Sequence, residues 1–470
     1  RGPRTEPSGL SAELLGEAVA RPSADYYLVL SCVGLLLGLG VLMVLSSSSV
    51  YAAENLGDSY YFLRRHLLYL AVGLVLAWLV SRRGEQALGV LGWLLVGAMI
   101  IAELLVVFTS LGDAADGASN KGNRNWLSLG PLSLQPSEFA KIGLVLWAAS
   151  IFATKRRNLG RVKDLLFPVV LGFVVIIGLV VVGGHDLGTG VILLAIMLAV
   201  YWFVGAPWQL LVAFLAAAVL LVAALVVTSP GRMQRIGALL SGSGAVGDSE
   251  QPLNAVYALA TGGWWGVGLG RSRAKWGGLY DGALNDYVFA VLGEEMGLLG
   301  TIVVIGLFLS LGLVGMRIAN RSTRVFWRMV AASVTAWLLI QAVLNVAVAM
   351  RMMPVMGVPL PFISYGGSSL IADLVAVGAL LAAARLGASV PEDLSIIGFD
   401  DQEALAESLV PPLTTVALPH ALMGETAVEL ALAVALAIGM SVGLSACRSD
   451  EQEIRANVET MLNAFKNPTK

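Results

Sequence analysis

Charged residues are scarce in this chain of 470 residues. They make up 13%, where a soluble domain carries about 25%. That scarcity excludes a soluble globular enzyme, which needs a charged surface, and a disordered chain, which needs low hydrophobicity. Cysteine is nearly absent too. Cys32 and Cys447 both sit in apolar runs, so no disulfide framework is available. What the chain has in excess is apolar residues, at 57%, with a mean hydropathy of +0.80. Only many long apolar runs move the mean this far, and such a chain is polytopic in a membrane. The small net charge of −2 hides a division. Residues 1–385 hold 26 basic and 20 acidic residues, and residues 386–470 hold 4 and 12, so a +6 body precedes a −8 tail.

A helix needs ~20 mostly apolar residues to cross the hydrocarbon core. Ten runs meet this, at about 26–48, 62–81, 87–109, 135–154, 165–183, 187–205, 208–228, 287–314, 326–350 and 362–384. Irregular backbone cannot face lipid, so each is expected to be a helix. Arg82 and Arg83 follow the second run, Lys155, Arg156 and Arg157 the fourth, and Arg317, Arg321, Arg324 and Arg328 lie around the turn from the eighth to the ninth. All three basic clusters share one side when residues 1–25 are cytoplasmic, as the positive-inside rule requires. The polar residues 1–24 contain no signal-peptide apolar core, so no cleavage is expected there. Two outer loops are long, 110–134 and 229–286. The second carries Arg232, Arg235, Arg271, Arg273 and Lys275. Long loops partly escape the charge rule, but an anionic partner such as a lipid phosphate at the outer surface also explains the excess.

Ionisable residues in or beside spans are costly and mark candidate sites. Glu138 and Lys141 lie three apart in Q-P-S-E-F-A-K (Gln135 to Lys141), on one helix face, where they can pair or meet a substrate. Asp186, after His185 in G-G-H-D-L-G-T-G, stands at a helix start, where capping alone would account for it. Glu103 and Asp373 are isolated inside the third and tenth runs. Asp286 lies where the second long loop enters the eighth run, in N-D-Y-V-F-A-V-L-G-E-E-M-G (Asn285 to Gly297). A half-desolvated carboxylate there can act as a base. Glu294 and Glu295 lie about two turns on, ~12 Å further along the helix, and are expected to be structural. The tenth run is preceded by P-V-M-G-V-P-L-P-F-I-S-Y-G-G-S-S (Pro354 to Ser369), which implies a broken backbone through Pro359, Pro361, Gly366 and Gly367. Ser364, Tyr365, Ser368 and Ser369 could contact a ligand there or satisfy the broken backbone.

Five segments taken together resemble the SEDS family (shape, elongation, division and sporulation). They are N-R-N-W-L-S-L-G (Asn123 to Gly130), Q-P-S-E-F-A-K, H-D-L-G-T, the stretch from G-G-W-W-G-V-G-L-G to N-D-Y-V-F-A-V-L-G-E-E, and P-L-P-F-I-S-Y-G-G-S-S. The resemblance covers about residues 26–385, with wording closest to division members and elongation members near. It implies an all-α integral membrane protein, a SEDS-type bundle of ten transmembrane helices with a long outer loop between the seventh and eighth. It also implies a peptidoglycan glycosyltransferase that polymerises lipid II at the outer face of the bacterial cytoplasmic membrane, at the division septum. On this resemblance Asp286 is the general base. Arg271, Arg273 and Lys275, and further in Glu138, Lys141, Asp186, Ser364, Tyr365 and Ser368, are candidate substrate contacts. The implied partners are a class B penicillin-binding protein, other divisome membrane proteins and membrane lipid, with no nucleic acid. A divalent cation, Mg or Mn, is a possible cofactor, and no organic cofactor is implied. The stretch Leu279 to Asp286 lacks the Pro and His of the family's usual L-P-x-A-H-x-D, leaving Asp281 as a weaker alternative acid. His185, Asn125 and Asp373 are single departures elsewhere. A lipid II flippase and a non-catalytic scaffold are the competing classes.

The tail reads differently. Residues 389–430 resemble part of a LacI-type sugar-binding domain, a fragment too short to bury a core alone. An apolar run at 430–446 ends in L-S-A-C at Cys447, which looks like a lipoprotein lipobox in a position where a lipobox does not work, and a charged segment closes the chain. The chemistry is expected to lie entirely in the +6 body.

Overall fold

A chain in hydrocarbon must satisfy its backbone internally, and long helices do so with their own hydrogen bonds. The computed structural model describes residues 22–109, 112–114, 124–129, 132–155, 165–227, 233, 250–279, 282–387, 398–399 and 415–416. Among these, eight helices are long and apolar enough to cross a membrane. They are α1 (Pro22–Leu56), α2 (Tyr61–Ser81), α3 (Glu85–Phe108), α4 (Pro136–Thr154), α7 (Trp208–Val227), α10 (Val288–Arg321), α11 (Val325–Ala349) and α12 (Gly367–Leu386). Two shorter apolar helices fall where the fifth and sixth spans were expected. The first, α5 (Val169–Gly178), starts after Pro168 and relaxes into a π-helical turn at Leu179–Gly183. The second, α6, covers Leu187–Phe203. Gly183 and Gly184 end one, and His185, with φ of 61°, turns the chain into the other. Against the expected 165–183 and 187–205, the first helix loses its opening residues at Pro168, and the second ends at Phe203, before Gly205 with its φ of 82°.

The helices sort into core and periphery by what they pack against. Of the most apolar stretch of α4 and of α12, 78% is buried, and of α7 only 11%. α12 packs on α2 and α4, α3 on α4, and α11 on α4, α6, α10 and α12. Small residues let backbones approach where helices cross. A Cβ at Gly92 in α3 would meet the Trp147 backbone at 2.6 Å, and one at Gly378 in α12 would meet the Ala77 carbonyl at 2.5 Å.

Outside the spans, a three-stranded antiparallel sheet forms from β1 (Gly112–Ala114), β2 (Arg124–Leu129) and β3 (Leu132–Leu134). Neither it nor the two helices α8 (Glu250–Gly262) and α9 (Ala274–Gly277) of the second long loop was read from hydropathy. The tenth run also starts later than expected, at Gly367 rather than 362, because residues 354–366 stay irregular.

The chain divides into two units at Ser389 and Val390. In the second unit a short parallel pair, β4 (Gly398–Phe399) and β5 (Thr415–Val416), is described. The remainder of the LacI-like segment, the apolar run and Cys447 lie outside the described residues, as do Arg232, Arg235 and Asp281.

One break is built into a long helix. Within α10, Gly297 has φ of 69°, and the strand of loop at 263–268 docks against it. The Val267 and Gly268 N–H groups donate to the Glu294 and Glu295 carbonyls, and Leu298 N–H donates to the Gly263 carbonyl at 2.9 Å. A Cβ at Gly297 would lie 2.4 Å from the Gly266 nitrogen, and with ψ of −167° the conformation is open essentially to glycine alone, so another residue costs about 1–3 kcal/mol. Gly306, in the same helix, has open space around it. Gly297→Ala is therefore expected to lower the thermal unfolding midpoint in detergent by several degrees, and Gly306→Ala to leave it unchanged or raise it. Equal midpoints for the two variants would contradict the docking.

Candidate active site

Asp286 sits in the turn 282–287 that leads into α10. The turn closes on itself through the Tyr287 N–H to the Gly282 carbonyl at 2.8 Å. Ala283, Leu284 and Tyr287 are buried, Asn285 is exposed and Asp286 is half-buried, so Asp286 stands at the edge of the packed protein.

The irregular segment before α12 holds this turn from the other side. Ser364 Oγ donates to the Asn285 carbonyl at 2.7 Å, the Tyr365 N–H donates to the Leu284 carbonyl at 2.9 Å, and the Leu360 N–H donates back to Ser364 Oγ at 2.8 Å. Ser364 and Tyr365 thus satisfy the broken backbone and carry the Asp286 turn. The Tyr365 ring packs edge-on against Phe62 at 5.2 Å. Pro361 is buried, and Phe362, at φ of 66°, brings its carbonyl so close to α1 that only a glycine fits at position 40. Gly367 is similarly pressed against the Tyr69 ring. Ser368 Oγ accepts from the Gln135 N–H at 3.1 Å, tying the start of α12 to the start of α4.

The residue type that hydropathy passed over is the buried amide. Trp337, Gln341 and Asn345 recur every four residues along α11 and so share one face. Asn345 Nδ2 donates to the Asp286 carbonyl at 3.0 Å and to the Val358 carbonyl at 2.8 Å. Gln341 Nε2 donates to the Pro359 carbonyl at 3.0 Å, while its Oε1 accepts from Lys141 Nζ at 3.1 Å and from Trp337 Nε1 at 2.8 Å. Lys141 in turn pairs with Glu138 at 2.7 Å and lies 5.1 Å above the Trp337 ring. The Glu138–Lys141 pair, fully buried, is therefore connected through α11 to the loops around Asp286. Polar residues at helical spacing inside an apolar run were the available signal.

Asp186 caps α6. Its carboxylate accepts from the Thr189 N–H at 2.9 Å, from Thr189 Oγ1 at 2.6 Å and from Asn125 Nδ2 at 2.8 Å. Burial pushes this carboxyl up from its ordinary value, and the Thr189 bonds pull against that. Asp373 in α12 and Glu103 in α3 are buried as well.

The basic loop is clamped to α10 rather than left loose. Lys275, at the end of α9, is 8% exposed. Its ammonium pairs with Glu295 at 3.1 Å and donates to the Gly270 carbonyl at 2.7 Å and to Ser46. Ser46 Oγ also donates to Glu295 at 2.6 Å. Glu294 accepts from Ser272 Oγ and from the Arg273 N–H at 3.0 Å. Arg271 and Arg273 remain exposed on the clamped turn. Lys275, read from sequence as a phosphate partner, thus has its acceptors inside the protein. Among the described residues no three His, Cys, Asp or Glu side chains converge as a metal cage would.

Residues 26–387 match the cell cycle protein family FtsW/RodA/SpoVE. A protein of Mycobacterium tuberculosis named as a probable peptidoglycan glycosyltransferase FtsW is 33% identical over 408 residues, 87% of this chain and 76% of its own. Stage V sporulation protein E of Bacillus subtilis is 32% identical over 366 residues, 78% of this chain and 98% of its own. Among solved structures, a chain from a peptidoglycan synthase complex that coordinates polymerization and crosslinking superposes with a TM-score of 0.62 at 29% identity, covering 76% of this chain and 96% of that one. The rod shape determining protein RodA of Thermus thermophilus gives 0.56 at 28%, covering 77% and 97%.

Breaking a buried pair from one side leaves a charge without its partner, at a cost of about 3–5 kcal/mol. Lys275→Met and Glu295→Gln are each expected to destabilise the purified protein by that order. The double variant should lose clearly less than the two losses added, because neither charge is stranded. Strictly additive losses in thermal unfolding would contradict the clamp.

Proposed function

Because the chain belongs to the FtsW/RodA/SpoVE family, we propose that it is a peptidoglycan glycosyltransferase that polymerises lipid II at the outer membrane face during septal wall synthesis, with Asp286 as the general base. The supporting observation is the half-buried Asp286 at the mouth of a span, in a turn fixed by Asn345, Ser364 and the Tyr365 N–H. Fixing the backbone on both sides of a base limits where its carboxylate can reach, and positioning within a few tenths of an ångström governs proton transfer.

In this reading Asp286 takes the proton of the acceptor GlcNAc 4-hydroxyl as that oxygen attacks the donor MurNAc anomeric carbon. The new glycosidic C–O bond forms as the bond to undecaprenyl pyrophosphate breaks. The leaving group departs with its electron pair and negative charge, and Arg271 and Arg273, exposed on the clamped loop, offset that charge. The buried groups Glu138, Lys141, Asp186 and Ser368 act at one remove, by holding the helices that frame the site. A class B penicillin-binding protein is the proposed partner, since a polymerase alone makes uncrosslinked strands. The relative found in a peptidoglycan synthase complex supports that pairing.

With purified protein, its partner synthase and labelled lipid II, the parent should yield polymer. Asp286→Asn should reduce the rate by at least about 10²-fold. Undiminished polymer from the variant would overturn the role of Asp286, and lipid movement without polymer from the parent would point to a transporter.

A further inference from the structure

The first two turns of α2 carry Phe62, Arg65, His66 and Tyr69, spaced three and four apart and so on one face. That face meets the irregular segment before α12. The Phe62 ring lies edge-on to Tyr365 at 5.2 Å, the His66 ring lies tilted at 6.3 Å from it, and Tyr69 presses on Gly367. Phe62 and Tyr69 are half-buried and His66 is buried, whereas Arg65 is exposed. Arg65 therefore stands at the edge where this packing opens.

The Arg65 guanidinium is held in place without losing its charge. It lies 4.8 Å above the centre of the Tyr61 ring and beside the Tyr365 hydroxyl. Both neighbours are neutral, and stacking on an aromatic face fixes the guanidinium plane. The adjacent Arg64 differs, because Asp58 pairs with it. Among the described residues no carboxylate forms an ion pair with Arg65. A guanidinium has five N–H donors, so a planar fork remains for an oxyanion.

A single residue ties Arg65 to the Asp286 turn. Tyr365 sets its hydroxyl beside Arg65 and donates its N–H to the Leu284 carbonyl at 2.9 Å, two residues before Asp286. Arg271 and Arg273 are tied to Asp286 by a different element, through Glu294 of α10. Two separate cationic groups thus serve one carboxylate, one carried on α2 and one on the loop docked to α10. The level of Arg65 is that of a headgroup. Leu67 and Leu68, just beyond it, are 42% and 59% exposed and open the apolar face that α2 turns to lipid. Tyr60 and Tyr61 stand just before it, and such aromatic residues mark the membrane–water boundary. A phosphate fixed to a membrane tail lies at that level, whereas a peptide reaches away from it.

The reaction assigned to Asp286 joins two lipid-linked substrates, and so it handles two pyrophosphates. The donor's is released and gains charge as its bond breaks. The acceptor's stays on its sugar with its charge unchanged, and it needs a cation of its own. Resting on that reading of the reaction, we propose that Arg65 binds the pyrophosphate of the acceptor lipid II, with Tyr365 as the spacer between this anchor and the Asp286 turn. A group whose charge does not change is held equally in the ground and transition states, so Arg65 acts on KM and leaves kcat in place.

The test uses the full chain in two measurements. In steady-state polymerisation with the partner synthase, Arg65→Gln should raise the lipid II KM at least about tenfold, the factor that one hydrogen bond to a charged group supplies, with kcat within about twofold of the parent. Arg65→Lys keeps the charge without the fork and should fall between the two. Arg64→Gln should overlay the parent, which separates a lost contact from misfolding. The second measurement is binding to the Asp286→Asn variant in nanodiscs, where turnover is not needed. Undecaprenyl pyrophosphate should displace labelled lipid II far better than undecaprenol, and adding Arg65→Gln should erase most of that preference. A pyrophosphate preference that survives Arg65→Gln, a loss carried by kcat at saturating lipid II, an Arg65→Gln curve that overlays the parent, or an equal loss in Arg64→Gln would each overturn the proposal. A parent that makes no polymer would count against the role of Asp286 instead, and the binding measurement decides on Arg65 by itself.

Discussion

The amide of Gln341 is the point through which the two polar layers of the protein are joined. One end of it takes hydrogen bonds from Lys141 and Trp337, and the other holds the Pro359 carbonyl. Gln341, Lys141 and Trp337 are buried and Pro359 half-buried, in a setting where an unpaired donor or acceptor is costly, so the geometry is tightly constrained. One turn further along α11, Asn345 holds the carbonyls of Val358 and Asp286. The loop before α12 has no regular structure to satisfy its backbone, and α11 supplies what it lacks. Remove the stripe, and both the irregular loop and the Asp286 turn lose their fixed points.

A second constraint works on the other side of Asp286. Eight residues into the same helix, Glu294 and Glu295 hold the basic loop, and Gly297 makes room for it. Asp286 and the exposed Arg271 and Arg273 are thus both referred to α10, one at its start and the others about 12 Å along it. The charge excess of the long loop divides by fate. Lys275 is turned inward to Glu295, and the two arginines stay at the surface. That division gives the loop a defined shape while leaving two cationic groups at its surface.

Much of this was legible in the sequence. The apolar runs gave the helices, and the bounds differ where Pro168 and Gly205 trim the fifth and sixth, where Gly366 delays the start of α12, and where α1 and α10 run on past their apolar stretches to Leu56 and Arg321. Asp286 stood out because a carboxylate at the mouth of a span is expensive. Gln341 and Asn345 did not, because hydropathy averages two amides away inside a 25-residue helix. The partners of Lys275 were also hidden. Ser46 is 229 residues away in the chain, and no local pattern records a contact formed only when α1 and α10 pack. The sequence could state that residues 354–366 were broken, but not which helix would repair them.

The central claim is that the buried stripe of α11 places Asp286 for proton transfer. Steady-state lipid II polymerisation by Asn345→Leu tests it most directly. The account predicts a kcat at least about tenfold below the parent with lipid II KM little changed, and partial recovery in Asn345→Gln, which keeps the donor amide. A kcat equal to the parent's in Asn345→Leu, or a loss carried wholly by KM, would contradict it.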